Sequence, residues 1–256
     1  MGQEFSPTSR RFNTVGLCIY CGSDTDLTDE HIIPEGMGGR EILPKSSCRP
    51  CATITGRFEQ AVMRQTIWPL RLGLKMGGKK RKRPTKIPIR GIDKFGKEFT
   101  ATEEHSGIGF KGILPVFHKP PGFFTGELPT DELGVDFDIF FDRENMKEFH
   151  APGSYMDIRP EWYAFMLAKM AHSHAVAHIG IGNFEPFLPA VILGNNSLWP
   201  YLIGRAEEES PGPQQVGHWI NLYRQREPHE GILLSRIRLF AELNGPTYDI
   251  VVGRTR

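Results

Sequence analysis

The sequence predicts an α+β protein in which a small cysteine-bearing module precedes a larger α+β domain with mostly antiparallel strands and one long helix. All four cysteines lie between positions 18 and 51. Residues 87–150 contain short β-branched and aromatic runs separated by glycine and proline, which is typical of strands. An apolar segment then begins at Pro160 and ends near Gly180, and it predicts a long, largely buried helix.

The domain boundary is expected in a segment rich in glycine and lysine. We assign residues 1–72 to the module, 73–86 to a basic linker and 87–256 to the α+β domain. Within the module, a helix is predicted from near the second cysteine pair to about Trp68, where Pro69 would stop it. The larger domain would serve dimerisation, positioning or regulation.

The charge is divided unevenly along the chain. The net charge is +1, yet residues 1–90 carry 16 Lys and Arg against 8 Asp and Glu. A basic stripe in this part could hold a nucleic-acid backbone by releasing counterions, and a solvated linker is the alternative. The members of the stripe are Arg71, Lys75, Lys79, Lys80, Arg81, Lys82 and Arg83.

Membrane insertion and secretion are not expected. No apolar run approaches the roughly 20 residues that a bilayer-spanning helix needs. The first 13 residues, MGQEFSPTSRRFN, lack the apolar core of a secretion signal. We therefore expect a cytoplasmic protein with no membrane partner.

Two CxxC pairs predict a structural zinc site. Cys18 and Cys21 form the first pair, Cys48 and Cys51 form the second, and 26 residues separate the pairs. In a reducing compartment this spacing is typical of zinc held by four thiolates, and disulfides are the alternative. Four thiolates leave no open position on the ion, so the zinc would stabilise the fold and take no part in catalysis.

Between the cysteine pairs, an acidic residue directly precedes a histidine in the stretch EHIIP, residues 30–34. Hydrolysis of a phosphodiester needs a base to deprotonate water and a cation to neutralise the phosphate. His31 can accept a proton near neutral pH, and Glu30 can hold a hard cation through oxygen. Adjacent strand residues point to opposite faces, so the pair needs a bent backbone or a metal at the strand end to share one site. The alternative for His31 is structural packing.

The order CxxCG, EHIIP, GG and CxxC over roughly residues 16–62 resembles the zinc-stabilised branch of the HNH endonucleases, the ββα-metal nucleases. The resemblance implies a β-hairpin followed by a helix. It further implies that His31 is the general base and that Glu30 binds a catalytic Mg²⁺ or Mn²⁺. The implied partner is nucleic acid, with DNA favoured over RNA.

Two amides that such relatives carry are missing. Relatives place a metal-binding Asn directly after the last cysteine, where this chain has Ala52, and the Asn that orients the base falls at about Leu43. We hypothesise that Glu59, with Thr55, supplies the missing ligand from the same helical face. The alternative for Glu59 is a surface carboxylate that pairs with a neighbouring arginine.

Two functions follow from these patterns. The first is a metal-dependent endonuclease, and the second is a zinc-stabilised nucleic-acid-binding protein whose nuclease centre has decayed. The larger domain could form a homodimer. In its long helix, His174 and His178 share a face, but no third ligand accompanies them, so we expect a structural role for both. Trp162 and the aromatic residues beside it are expected in the core.

Overall fold

The computed structural model describes most of the chain. The described residues are 10–73, 86–92, 95–104, 110–127, 134–141, 159–194, 196–207 and 217–256. Most of the predicted basic linker lies outside them. The stripe positions from Lys75 to Arg83 therefore have no structural description, and the predicted domain boundaries stay a prediction.

The N-terminal module is a hairpin followed directly by a helix. Strand β1 (Arg10–Arg11) lies parallel to β3 (Glu41–Cys48), and β2 (Leu27–His31) lies antiparallel to the other edge of β3. Helix α1 (Arg49–Ala61) begins at the residue after β3, with a proline in its first turn, where a missing N–H costs little. The two antiparallel strands and the helix confirm the predicted ββα arrangement.

The helix after the second cysteine pair differs from the prediction at its end. After α1, a π-helical turn covers Val62–Thr66, and a short helix α2 then covers Trp68–Gly73. Pro69 is the second residue of α2, so it does not stop the helix as predicted. The first turn of a helix has N–H groups without intrahelical partners, and it therefore accepts proline.

The larger part of the chain is built from antiparallel pairs around one long helix. The remaining elements are β4 (Lys86–Ile92), β5 (Glu98–Glu104), β6 (Phe110–Phe117), α3 (Gly122–Thr125), β7 (Val135–Phe141), α4 (Pro160–Ile179), β8 (Phe184–Pro186), α5 (Leu188–Ile192), α6 (Trp199–Leu202), β9 (Ile203–Arg205), β10 (Trp219–Arg224), β11 (Ile232–Arg238) and β12 (Thr247–Thr255). β4 pairs with β5, and β6 pairs with β7. A five-stranded sheet runs β10-β11-β12-β8, with β9 also on β12. These pairs are all antiparallel, which confirms the α+β fold class.

Helix α4 is buried along most of its length and contacts both the module and the sheet. Every residue from Tyr163 to Val176 is buried. Phe165 packs against Phe58 of α1 with ring centroids 6.0 Å apart, and Tyr163 packs against Tyr248 of β12 at 5.6 Å. Burying side chains of this size contributes roughly 1.5–3 kcal/mol each. Consequently, any polar side chain of α4 that faces α1 is enclosed between the two helices. No helix in the described part of the chain could cross a bilayer.

Candidate functional site

The four cysteines lie together as the zinc prediction requires. Their sulfur atoms all lie within 4.8 Å of one another, and the Sγ atoms of Cys21 and Cys48 are 3.5 Å apart. Zinc–sulfur bonds of about 2.3 Å in a tetrahedron place the sulfurs about 3.8 Å apart. All four are free thiols, and all but Cys21 are buried. The cluster therefore fits a structural zinc ion.

The first cysteine pair lies in a tight turn that favours the thiolate form of Cys18. The N–H of Gly22 donates to the carbonyl of Cys18 at 2.8 Å, and Gly22 adopts φ +78°, a conformation open to glycine. Burial raises the pKa of Cys18, but hydrogen bonds from the backbone of Cys48, Tyr20 and Cys21 lower it to about 7 overall. Since zinc binds thiolates, this turn is suited to a metal ligand.

Strand β2 places its two predicted site residues in different environments. Glu30 is buried, whereas His31 is partly exposed and Asp29 is exposed. The hairpin is irregular between Thr28 and Glu30, so the expected backbone distortion lies just before the pair. Asp29 stabilises this part of the hairpin, because its carboxylate accepts a hydrogen bond from the backbone N–H of Lys45 at 3.1 Å.

Asp29 also forms an ion pair with β1. The Nη2 atom of Arg11 lies 2.6 Å from its Oδ2 atom. Burial would raise the pKa of Asp29, but the hydrogen bonds from Lys45 and Arg11 and the charge of Arg11 lower it overall. The carboxylate therefore stays ionised near His31.

The side chain that joins the two predicted carboxylates is Lys169 of α4. Its Nζ atom lies 2.6 Å from Oε1 of Glu30 and 2.9 Å from Oε1 of Glu59, and it donates to the backbone carbonyl of His31. The Lys169 side chain is 1% exposed. Burial alone would lower the pKa of Lys169, but the charges of Glu30 and Glu59 raise it to about 12. The amine is therefore a charged ammonium ion, and we call these three residues the carboxylate cluster.

A tyrosine hydroxyl completes the surroundings of the carboxylate cluster. Tyr20 is buried, and its hydroxyl makes no hydrogen bond of normal geometry to any described residue. Burial raises the pKa of Tyr20 well above its usual value, and the charges of Glu30 and Glu59 add to the effect. Two carboxylates and one ammonium leave the carboxylate cluster with one net negative charge when all three are ionised.

The carboxylate cluster does not fit a divalent cation while Lys169 is in place. Mg²⁺ requires ligand oxygens at about 2.0–2.1 Å, but the ammonium nitrogen already occupies the position from which both carboxylates are reached. Glu59 and Glu30 thus meet, but the cation between them is a lysine of the protein itself.

The other predicted positions around the carboxylate cluster offer little to a metal. The Thr55 hydroxyl is buried and donates to the Ala52 carbonyl within α1 at 3.3 Å. Leu43 is buried and lies directly opposite Glu30 in the hairpin. The position where relatives carry the orienting amide is therefore an apolar neighbour of the predicted metal ligand.

Arg71, the described member of the basic stripe, is held by backbone carbonyls. Its Nε atom donates to Gly36 at 2.6 Å and its Nη1 atom donates to Met63 at 3.3 Å. Burial lowers the pKa of Arg71. These bonds connect α2 to the turn after β2 and to the π-helical turn after α1, so Arg71 contributes to the packing of the module.

The histidines of α4 contribute to packing rather than to a metal site. The Nε2 atom of His172 lies 2.7 Å from the Ile19 carbonyl, and the rings of His174 and His178 are 4.3 Å apart. Burial lowers the pKa of His172 to about 4, and burial with the charges of His178 and Arg10 lowers that of His174 to about 3. Within the described ranges, the cysteines are the one group of three or more such side chains close enough to share a metal.

The functional residue that sequence reasoning missed is Lys169. It stands in the apolar run AFMLAKMAH of α4, where a lysine is almost never buried without a partner. A lysine in such a run indicates a buried partner of opposite charge, and the module contains two candidate carboxylates, Glu30 and Glu59. The partners lie in distant parts of the sequence, however, and no local pattern joins them.

Comparison with known proteins agrees with this geometry. Residues 18–66 match the family model described as HNH endonuclease. The matched range includes both cysteine pairs, the EHIIP stretch, the hairpin and α1, and it confirms the resemblance of the N-terminal module. It does not include α4 or Lys169. Comparison with curated proteins and with solved structures found no match.

Proposed function

We propose that this chain binds nucleic acid through a zinc-stabilised HNH module in which the centre for metal-dependent cleavage is closed. The observation that carries the proposal is the Lys169 ammonium between Glu30 and Glu59. The apolar residues Ala52 and Leu43, at positions where relatives carry amides, point in the same direction. The module would then keep the fold of a nuclease without its cation.

Nucleic acid is the proposed partner because of the family match and the basic sequence that follows the module. The run KKRKRPTK, residues 79–86, adds a dense positive charge next to the HNH module. Phosphate contacts position a protein on a duplex but do not read its bases. Binding is therefore expected to depend weakly on sequence and strongly on salt.

Zinc would serve binding indirectly. The sulfurs come from the turn at Cys18 and Cys21, the end of β3 and the first turn of α1. An ion among them would cross-link the three segments and fix the hairpin against the helix. The ion supplies this stability when bound, and the surrounding side chains supply every contact to the nucleic acid.

A metal-dependent endonuclease is the second candidate function. It is favoured by His31, which stays partly exposed beside the ionised Asp29 and could meet a phosphate and accept a proton from water. In this alternative the Lys169 ammonium would have to leave both carboxylates when substrate binds. A homodimer through residues 87–256 and a cytoplasmic location also remain predictions.

Incubation of the zinc-loaded protein with nucleic acid separates the two candidates. Plasmid DNA, single-stranded DNA and RNA would each be tested with added Mg²⁺, with Mn²⁺ and with neither. We expect retardation of the DNA on a gel in all three conditions and no nicks. Cuts that require Mg²⁺ or Mn²⁺ and disappear in His31→Ala would instead establish the endonuclease.

The same assay tests the basic run. Replacing Lys79, Lys80 and Arg81 with glutamine should weaken binding and lower the slope of log K against log salt by about 0.9 for each lost phosphate contact. The matched control replaces Lys119, an exposed lysine paired with Glu127, and should leave affinity and slope unchanged. Equal affinity of the triple variant and the parent would remove the run from the interface.

A further inference from the structure

Resting on the proposed function, we infer that the Lys169 ammonium replaces a divalent cation and that Glu30 and Glu59 form a latent cation site, which loss of the ammonium opens. The inference concerns the chemistry of these carboxylates. It can therefore fail while the protein still binds nucleic acid.

The geometry of the two carboxylates is that of ligands around one centre. Glu30 comes from β2 and Glu59 from α1, yet one oxygen of each lies within 2.9 Å of the same nitrogen. Like charges at this proximity require a cation between them. The buried hydroxyl of Tyr20 makes no hydrogen bond of normal geometry but lies close enough to Glu30 to interact with it, so a third oxygen lies beside the two carboxylates.

Lys169 is held at the carboxylates because the surrounding part of α4 is buried. Its neighbours along the helix, from Tyr163 to Val176, are all buried. The ammonium donates a hydrogen bond to the carbonyl of His31 and forms ion pairs with Glu30 and Glu59. These three contacts hold the Lys169 side chain between the two carboxylates.

The charge of the carboxylate cluster predicts what a neutral residue at position 169 would do. Without the ammonium, the buried carboxylate of Glu30 and the partly exposed carboxylate of Glu59 repel each other, which favours the binding of a proton or a metal ion by one of them. A divalent cation would neutralise both. Because protons compete for the same oxygens, the affinity for the ion should rise with pH until both carboxylates are ionised.

The test is a titration with Mn²⁺, followed by the electron paramagnetic resonance signal of the free ion. The zinc-loaded parent and Lys169→Met would be compared. We expect Lys169→Met to bind one more equivalent of Mn²⁺ than the parent, at least tenfold more tightly than any site of the parent. Lys169→Arg keeps the positive charge and should not gain the site. Lys169→Met/Glu59→Gln should lose it.

Folding is monitored in the same samples. If Lys169→Met does not fold alone, Lys169→Gln, which keeps a hydrogen-bond donor, replaces it, and a rise of its melting temperature with Mn²⁺ but not with added NaCl counts as the gained site. Two results would overturn the inference. One is a folded Lys169→Met or Lys169→Gln that binds no more Mn²⁺ than the parent. The other is a parent that binds Mn²⁺ at these carboxylates, shown by loss of that binding in Glu59→Gln.

Discussion

The protein contains two centres where residues from separate segments converge, and they meet the need for a cation in opposite ways. The cysteine cluster brings four sulfurs within 4.8 Å of one another. The carboxylate cluster brings two acidic side chains onto the ammonium of Lys169. On our proposal, the chain keeps the ion that stabilises the HNH module and substitutes a side chain for the ion that would act on a phosphate.

The chemistry of the ligands explains why only one centre can be substituted. Zinc is borderline-soft and is bound directly by sulfur, and no side chain offers a divalent, tetrahedral equivalent. Carboxylate oxygens interact with a hard cation mainly through charge and hydrogen bonds, which an ammonium also provides. A lysine can thus satisfy the two glutamates, but it could not replace zinc among the thiolates.

The largest expected effect is the loss of zinc. Structural zinc contributes about 10–16 kcal/mol in isolated zinc-finger peptides, and even a part of this equals the stability of many domains. We expect Cys48→Ser, or a zinc chelator, to abolish the cooperative unfolding of the module in circular dichroism. Asp24→Ala, at an exposed position beside the first pair, is the control. An unchanged melting temperature in Cys48→Ser would show that zinc has no structural role.

Removal of the ammonium is expected to have the second largest effect. Breaking a buried ion pair by removing one partner costs about 3–5 kcal/mol, because a charge stays buried without compensation. Lys169→Met should lower the free energy of unfolding by about this amount in urea titrations without divalent ions. The control is Lys119→Met, where the pair with Glu127 is exposed and should cost at most about 1 kcal/mol. Similar losses of unfolding free energy in Lys169→Met and Lys119→Met would contradict the distinction between the buried and the exposed ion pair.

Loss of Arg71 should have a smaller effect. Hydrogen bonds to a charged group contribute about 1.5–3 kcal/mol, and Arg71 makes two with backbone carbonyls. We expect Arg71→Ala to lower the free energy of unfolding within that range, while the salt dependence of DNA binding stays the same. A reduced salt slope would instead place Arg71 on the phosphate backbone.

The smallest effect concerns pH and His218, which connects the module to β11. The Nε2 atom of His218 donates to the Met37 carbonyl at 3.1 Å, and its Nδ1 atom accepts the Phe240 N–H at 3.1 Å. This neutral ring is half-buried, and its removal from solvent lowers its pKa to about 4. The unfolded chain takes up a proton below about 6.5, so stability should fall as the pH falls from about 6.5 to 4.

A histidine that is neutral in the folded state and protonated in the unfolded chain changes the free energy of unfolding by up to about 1.4 kcal/mol per pH unit. We expect His218→Gln to reduce the difference in stability between pH 7 and pH 5, as measured by urea unfolding at both values. His229→Gln serves as the matched control. An unchanged pH dependence in His218→Gln would show that the ring is not neutral in the folded state.

The zinc site and the hairpin-helix order could be predicted from the sequence because they depend on local spacing. Each CxxC pair closes within a single turn, and the acidic residue and histidine of β2 are adjacent. Helix α4 could also be predicted from the sequence, since Pro160 and Gly180 mark its ends and its residues are mostly apolar. The strands at 87–92, 112–117 and 136–141 followed from the same kind of local pattern and are confirmed.

The occupant of the carboxylate cluster could not be predicted in this way. The contact between Lys169 and His31 spans 138 positions of the sequence, and it exists because α4 packs against α1. The course of the chain after Thr66 depends on context too, since a π-helical turn redirects it before Pro69. Local patterns specify which elements form, whereas the charges that meet between them depend on packing.

Anomalous X-ray scattering tests the comparison of the two centres most directly. Crystals of the zinc-loaded parent protein, soaked in MnCl₂, would be measured at the absorption edges of zinc and manganese. We predict one zinc peak among the four sulfurs, no manganese peak between Glu30 and Glu59, and density for the Lys169 side chain at both carboxylates. A manganese peak between these glutamates, with Lys169 displaced, would contradict the account.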